Sequence, residues 1–232
     1  MEERITYPEI DLFLRSTIKR EEGFLRELEK YAEDKHIPIV QPETAALLKV
    51  LIGIHKPARV LEAGTAIGYS AMIFALEMGA YGTVDTIEID DDMAQAARKN
   101  IEIMGLSDRI RVLQGDALEV MECLSSAYDF IFLDAAKGSY IEYFEQAMRL
   151  LKPGGLLVSD NVLYKGLVAQ KQVMHKHRTI AVKLNEYLNI LCNEKRLKTS
   201  IIPIGDGLAV SLKRDVGVTD TSSDGAAACP HC

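Results

Sequence analysis

From Ala58 onward the chain alternates between two periodicities, and this alternation constrains its fold more than any other feature. Short β-rich runs fall at 59–62, 83–89, 110–113, 130–133 and 156–159. Helical patterns at 70–78, 92–104, 117–124 and 140–151 separate them. Strands alternating with helices of about ten residues are βαβ units, whose right-handed crossovers gather the strands into a parallel sheet. Lys152-Pro153-Gly154-Gly155 reads as a stop and turn after the helix ending near Leu151. A long helix is expected from about Lys171 to Asn193. Two last runs, 199–204 and 208–213, flank Gly205-Asp206-Gly207, a hairpin signal. The expected fold class is therefore α/β, a doubly wound, Rossmann-like, mostly parallel sheet of seven strands ending on an antiparallel strand. Ahead of it, residues 1–55 read as N-terminal helices. Ile10, Phe13, Leu14 and Ile18 recur at helical spacing, as do Leu25, Leu28 and Tyr31. Pro38 interrupts this pattern, and Pro42 suits the first turn of a helix over 43–54. Residues 1–214 are expected to form one domain and 215–232 a disordered polar tail.

With 48% hydrophobic and 26% charged residues, the composition is that of an ordinary globular protein. No apolar run approaches the roughly 20 residues of a membrane-spanning helix, so no membrane partner is expected. Met1-Glu2-Glu3-Arg4 opens without an apolar block, so no secretory signal is expected and the cytoplasm is the natural compartment. Cys123 and Cys192 fall in apolar helical patterns and read as buried thiols, while Cys229 and Cys232 end the tail. A net charge of −7 argues against a general nucleic-acid binder, although its distribution matters more than its sum.

In open α/β sheets, ligands bind at the carboxyl ends of the strands. The first strand leads into Glu62-Ala63-Gly64-Thr65-Ala66-Ile67-Gly68-Tyr69-Ser70. A dinucleotide fingerprint would need glycine at 64, 66 and 69, and only Gly64 complies, which disfavours a dehydrogenase. A nucleoside without a pyrophosphate fits better; the bland alternative is simple strand–helix punctuation. Glu88 ends the second strand, about 20 residues on, where a carboxylate can accept ribose hydroxyls. Asp90 and Asp91 suit a helix N-cap instead. Asp116, in Gly115-Asp116-Ala117, can reach an adenine amino group or cap the next helix. Asp134, Asp160 and Asn161 bring hard oxygen donors from neighbouring strand ends and suit a magnesium-like ion. Lys137 lies three residues past Asp134. A lysine beside a bound cation has its charged form disfavoured and can serve as a base. Each of these residues also has a bland reading, Asp134 as a helix cap and Lys137 as a surface charge.

These motifs resemble the cation-dependent class I O-methyltransferases, the group of catechol and caffeoyl-CoA O-methyltransferases, over about 37–214. The resemblance implies that Val40, Glu62, Gly64, Thr65, Ser70, Glu88, Gly115, Asp116, Ala117 and Asp134 hold S-adenosylmethionine. It implies that Asp134, Asp160 and Asn161 hold Mg²⁺, that Lys137 is the general base, and that the chain is a homodimer. Many plant members carry a second acid where this chain has Ala136, which speaks against a hydroxycinnamoyl acceptor. Three segments carry a narrower resemblance: Asp134-Ala135-Ala136-Lys137-Gly138-Ser139-Tyr140, the run from Asp160 to Val168, and Ile202-Pro203-Ile204-Gly205-Asp206-Gly207-Leu208-Ala209. They resemble the bacterial tRNA 5-hydroxyuridine methyltransferases, which implies a tRNA anticodon loop as partner and 5-methoxyuridine as product. The charge pattern bears on this independently. No Asp or Glu occurs between Val162 and Asn185, while Lys165, Lys171, Lys176, Arg178 and Lys183 do. Lys165, Lys171, Lys176 and Arg178 are candidate phosphate contacts; the alternative is a solvated helix face. Tyr140 and Tyr164 are either base-stacking partners or core residues. A small-molecule catechol-type O-methyltransferase is the competing enzyme reading, and a non-catalytic S-adenosylmethionine-binding regulator the competing class.

Overall fold

The structure, a computed structural model, describes residues 5–170 and 172–215. Three helices, α1 (Pro8–Thr17), α2 (Gly23–Lys35) and α3 (Pro42–His55), precede an alternating series. The series runs β1 (Arg59–Ala63), α4 (Tyr69–Glu77), β2 (Thr83–Glu88), α5 (Asp91–Ile103), β3 (Ile110–Gln114), α6 (Ala117–Cys123) and β4 (Tyr128–Leu133). It continues with α7 (Tyr140–Leu150), β5 (Leu151–Ser159), α8 (His175–Asn193), β6 (Leu197–Ile202) and β7 (Leu208–Lys213). The sheet has seven strands in the order β3-β2-β1-β4-β5-β7-β6. The first five strands in that order are parallel, and β7 pairs antiparallel with both β5 and β6. The expected doubly wound sheet with an antiparallel end is present.

Strand order reverses between β1 and β4, so the switch point lies at their carboxyl ends. Both faces of the sheet are covered. Val60, Phe130, Phe132 and Val158 pack with Leu48, Ile52, Met72 and Phe74 on one face. Leu61, Ile131, Leu133 and Leu157 pack with Phe144, Leu184 and Tyr187 on the other. Alternate residues of one strand therefore serve opposite cores, which explains why β4 reads as the unbroken run Phe130-Ile131-Phe132-Leu133.

Several expectations need correction. β5 begins at Leu151 rather than at 156. Leu151 pairs with Tyr128, the register then shifts, and regular pairing resumes at Leu156 opposite Phe130. The turn residues 152–155 form an irregularity inside the strand, with Gly154 at φ 77°. The last long helix starts at His175, with an extended Met174 as its N-cap and no side-chain cap. No Ser, Thr, Asp or Asn stands between 170 and 174 to mark that start in the sequence. Cys123 and Cys192 are exposed, not buried. α6 buries Ala117 and Met121, and α8 buries Leu188 and Leu191, so each cysteine follows a core position and turns outward. Cys229, Cys232 and all of the expected 215–232 tail except Asp215 lie outside the described residues. Among the described residues, no helix is long and apolar enough to cross a membrane.

Candidate active site

The carboxyl ends of the parallel strands open into a cleft of about 730 Å³, within the usual range for small-molecule sites. Val40, Gly64, Thr65, Ser70, Glu88, Gly115, Asp116, Ala117, Asp134, Lys137, Asp160 and Asn161 all line it. Residues from six separate stretches of sequence thus meet at one place. Glu62, in β1 two residues before Gly64, is fully buried and not part of the lining.

The turn after β1 is shaped by close packing. Gly64 has φ 102°, and a Cβ there would stand 2.1 Å from the carbonyl oxygen of Asp134. Glycine is therefore required here first by the backbone of the neighbouring strand. Gly68, also left-handed at φ 85°, is the N-cap of α4. Ala66 adopts φ 44°, and its N–H donates to Glu88 Oε2 at 2.8 Å. The other Glu88 oxygen accepts from Asp90 N at 2.9 Å, which fixes the carboxylate at the cleft wall. Asp90 caps α5 by accepting from Met93 N at 2.9 Å. Asp116 caps α6, its Oδ1 accepting from Leu118 N and Glu119 N, while the residue also lines the cleft. Both of its sequence readings therefore remain physically compatible.

Glu62 carries an anomaly. Its Oε2 accepts from Thr86 Oγ1 at 2.5 Å, yet Oε1 is buried with no hydrogen-bond partner among the described residues. Burial pushes its carboxyl up to about 7, against the hydroxyls of Ser70 and Thr86 that favour the charged form. Thr65 and Thr86 share a hydrogen bond of 2.6 Å, which joins this cluster to the glycine turn.

At the ends of β4 and β5, Asp134 and Asp160 face one desolvated region. Desolvation raises both carboxyls well above the carboxylate range; their mutual repulsion adds to the shift at Asp160, and the Lys137 ammonium opposes it at both. Two desolvated carboxylates close enough to repel, with the Lys137 ammonium as the cationic side chain near both, fit a cation. Asn161, at φ 56°, stands beside them on the cleft wall. The donor set is two carboxylates and an amide; among the described residues no group of three His, Cys, Asp or Glu side chains is arranged to hold an ion. Hard oxygen donors of this kind suit a magnesium-like ion rather than zinc.

Lys137 opens a single 3-10 turn, Lys137–Ser139. Lys183 of α8 donates to the Gly138 carbonyl at 2.7 Å and so braces that turn. Tyr140 is a core residue: its hydroxyl donates to the carbonyls of Leu133 and Asp160, beneath both carboxylate-bearing strand ends. Of the phosphate candidates, Lys165, Lys176 and Arg178 are exposed and outside the cleft lining, and Lys171 lies outside the described residues. Tyr164 is tied to His177 by a 2.8 Å hydrogen bond between its hydroxyl and Nδ1.

Sequence reasoning missed the outer wall of the cleft. Arg15, Arg20 and Arg26 from the N-terminal segment line it, with Tyr69 and Tyr143. Arg15 forms a two-pronged pair with Glu43, at 3.0 and 2.9 Å, and also donates to Gln41. Tyr69 donates to Glu29 at 2.6 Å, which closes α2 over the glycine turn. Tyr69 belongs to the glycine-turn motif and Tyr143 lies on the inner stripe of a helix that starts beside Asp134, whereas the three arginines carried no such signal.

The profile of the O-methyltransferase family matches residues 15–214. The chain belongs to the O-methyltransferase family. It is accordingly an enzyme, an O-methyltransferase that depends on S-adenosylmethionine. The match begins in α1, well ahead of position 37, so the helices over the cleft belong to the family unit. A caffeoyl-CoA O-methyltransferase of Stellaria longipes is 30% identical over 206 residues, 83% of this chain and 84% of its own. A catechol O-methyltransferase of Mycobacterium tuberculosis is 32% identical over 72% of this chain and 77% of its own. The crystal structure of a protein from Staphylococcus aureus, described as a putative caffeoyl-CoA O-methyltransferase, is 35% identical. It superposes with a TM-score of 0.82 over 88% of this chain and 99% of that one. An O-methyltransferase from Bacillus cereus, solved in complex with SAH, superposes with a TM-score of 0.79 at 26% identity, over 89% of this chain and 97% of that one.

Proposed function

We propose that this enzyme methylates one of two adjacent oxygens on an acceptor held at a divalent cation. The pair Asp134 and Asp160, which line the cleft directly after the paired ends of β4 and β5, carries this reading. In it, Glu88 takes the ribose hydroxyls of S-adenosylmethionine, and Gly64, Thr65, Ser70 and the 115–117 turn frame the rest of the cofactor. The orphaned Glu62 Oε1 supplies an acceptor beneath the cofactor. Asp134, Asp160 and Asn161 hold the cation, Mg²⁺ by their oxygen chemistry. A bound cation of this kind acidifies a coordinated hydroxyl and fixes its oxygen for in-line attack on the sulfonium methyl. Lys137 Nζ, as the neutral amine, would take the acceptor's proton and become the ammonium, and Lys183 keeps its turn in place. The exposed apolar residues of α1, Leu12 and Phe13 at 69% and 65% exposure, support a homodimer joined through the N-terminal helices.

For the acceptor we infer 5-hydroxyuridine at the wobble position of a tRNA, converted to 5-methoxyuridine in the cytoplasm. Its 5-hydroxyl and 4-carbonyl offer adjacent oxygens, as a catechol does. The supporting observation is the acid-free stretch directly after Asn161, whose Lys165, Lys176 and Arg178 are exposed and available to phosphates. An anticodon-loop base is already accessible, so presenting it costs little. A small catechol-type acceptor is the second reading, and the names of the curated relatives favour it. One experiment separates them. The enzyme is incubated with S-adenosylmethionine, Mg²⁺ and either a catechol or tRNA that carries 5-hydroxyuridine, and products are read by nucleoside and small-molecule mass spectrometry. Methoxyuridine as the dominant product supports the tRNA reading; a methylated catechol with unchanged tRNA replaces it with the second.

A further inference from the structure

The Gly205-Asp206-Gly207 turn, which joins β6 to β7, lies against the loop that carries Asn161. That loop is conformationally costly. Asn161, Tyr164 and Lys165 have φ of 56°, 46° and 56°, followed by Gly166 at 76°. L-residues rarely adopt this left-handed region, so three of them in five positions need an external template. The turn supplies it. Val162 N donates to the Gly207 carbonyl at 2.9 Å, and Leu163 N to the Asp206 carbonyl at 3.0 Å. The third contact comes from a side chain: Lys165 N donates to Asp206 Oδ1. A Cβ on Gly207 would stand 2.4 Å from Leu163 Cγ, so the two loops are already in close contact.

We propose that Asp206 is a positioning residue for the cation site, its carboxylate holding the 161–166 loop in the shape that presents Asn161 beside Asp134 and Asp160. The inference rests on the cation reading above. The backbone contacts at Val162 and Leu163 align the loop's start, and the Asp206 side chain secures the N–H of Lys165, the last left-handed L-residue of the loop. The same hydrogen bond fixes where the Lys165 side chain leaves the loop. Asp206 thereby couples the cation ligands to the basic rim.

Mn²⁺ binding, followed by the electron paramagnetic resonance signal of the free ion, tests this without turnover. S-adenosylmethionine binding is measured by calorimetry on the same samples. Asp206→Ala is expected to weaken Mn²⁺ binding by about 10- to 100-fold, the usual effect of removing a support behind a ligand. Cofactor affinity should stay within about twofold. Asp206→Asn should bind Mn²⁺ nearly as well as the unaltered enzyme, because its amide oxygen accepts the same N–H. Wild-type Mn²⁺ affinity in Asp206→Ala would overturn the inference and leave the cation site standing. Parallel loss of cofactor binding would make Asp206 a general structural residue, and an Asn variant as weak as Ala would replace the hydrogen bond with charge; either overturns it. Absence of Mn²⁺ binding in the unaltered enzyme would remove the cation reading and this inference together.

Discussion

Gly64 shows how tightly residues determine the switch point. Its missing side chain is what lets β1 and β4 run together into the cleft, since a Cβ would stand 2.1 Å from the Asp134 carbonyl oxygen. Gly64→Ala should therefore destabilise the fold by about 1–3 kcal/mol, from overpacking and a disfavoured φ. It should also weaken cofactor binding, because relief of the clash moves Asp134; thermal unfolding and calorimetry read the two effects. Lys137→Ala should lower kcat by about 10²- to 10⁴-fold, the range for a lost general base, with cofactor affinity unchanged. An unaltered kcat would remove Lys137 from the mechanism. That Gly64, Glu88, Asp134, Lys137, Asp160 and Asn161 line one cleft was legible in the sequence because parallel topology sends every strand's carboxyl end to one edge. The Asp116 cap and the Asp90 cap were legible from local chemistry. Arg15 and Asp206 were not. Each acts on a segment far along the chain, Arg15 on Glu43 and Asp206 on Lys165, and no local pattern encodes such a meeting.

At the scale of elements, α1 is the exception to the core-driven pattern. It buries no residue, and Ile10, Leu12 and Phe13 are exposed. Its attachment depends heavily on Arg15, whose partner Glu43 has a side chain only 4% exposed. Arg15→Ala leaves that carboxylate buried and unpaired, at a cost of about 1–3 kcal/mol. The expected outcome is faster hydrogen exchange confined to α1, with protection of β1 and β4 retained. Uniform acceleration across the sheet would show that the pair supports the whole fold instead. The sequence revealed α1 through its apolar spacing, but spacing reports a face and not what covers it. The sheet strands were more legible, since burial on both faces leaves near-continuous apolar runs. β5 was read too short because its Pro and Gly residues sit in an irregularity that pairing resumes beyond.

For the molecule as a whole, the cluster at the cleft predicts how stability depends on pH and on cations. Glu62 is raised from an ordinary 4.5 to about 7 by burial. A carboxyl raised in the folded state gives stability that is full below its unfolded value and is lost as the pH rises through its folded value. Asp134 and Asp160 shift in the same direction. Carboxyls shifted downward, such as Glu194 at about 2, act only in more acidic solution. The cation-free enzyme should therefore melt at progressively lower temperature from about pH 5 to about pH 8. Mg²⁺ should raise the melting temperature, and more so at the higher pH, because protons no longer compete for the ligand oxygens. Scanning fluorimetry with and without chelator reads both trends; a Mg²⁺ effect independent of pH would contradict the site. The most direct test of the central claim is methyl transfer from labelled S-adenosylmethionine to a chelating acceptor, either 5-hydroxyuridine tRNA or a catechol. It is measured with Mg²⁺, with chelator, and with Asp160→Ala. The structure predicts transfer with Mg²⁺ alone, abolished by chelator and by the substitution; transfer that persists under both would contradict it.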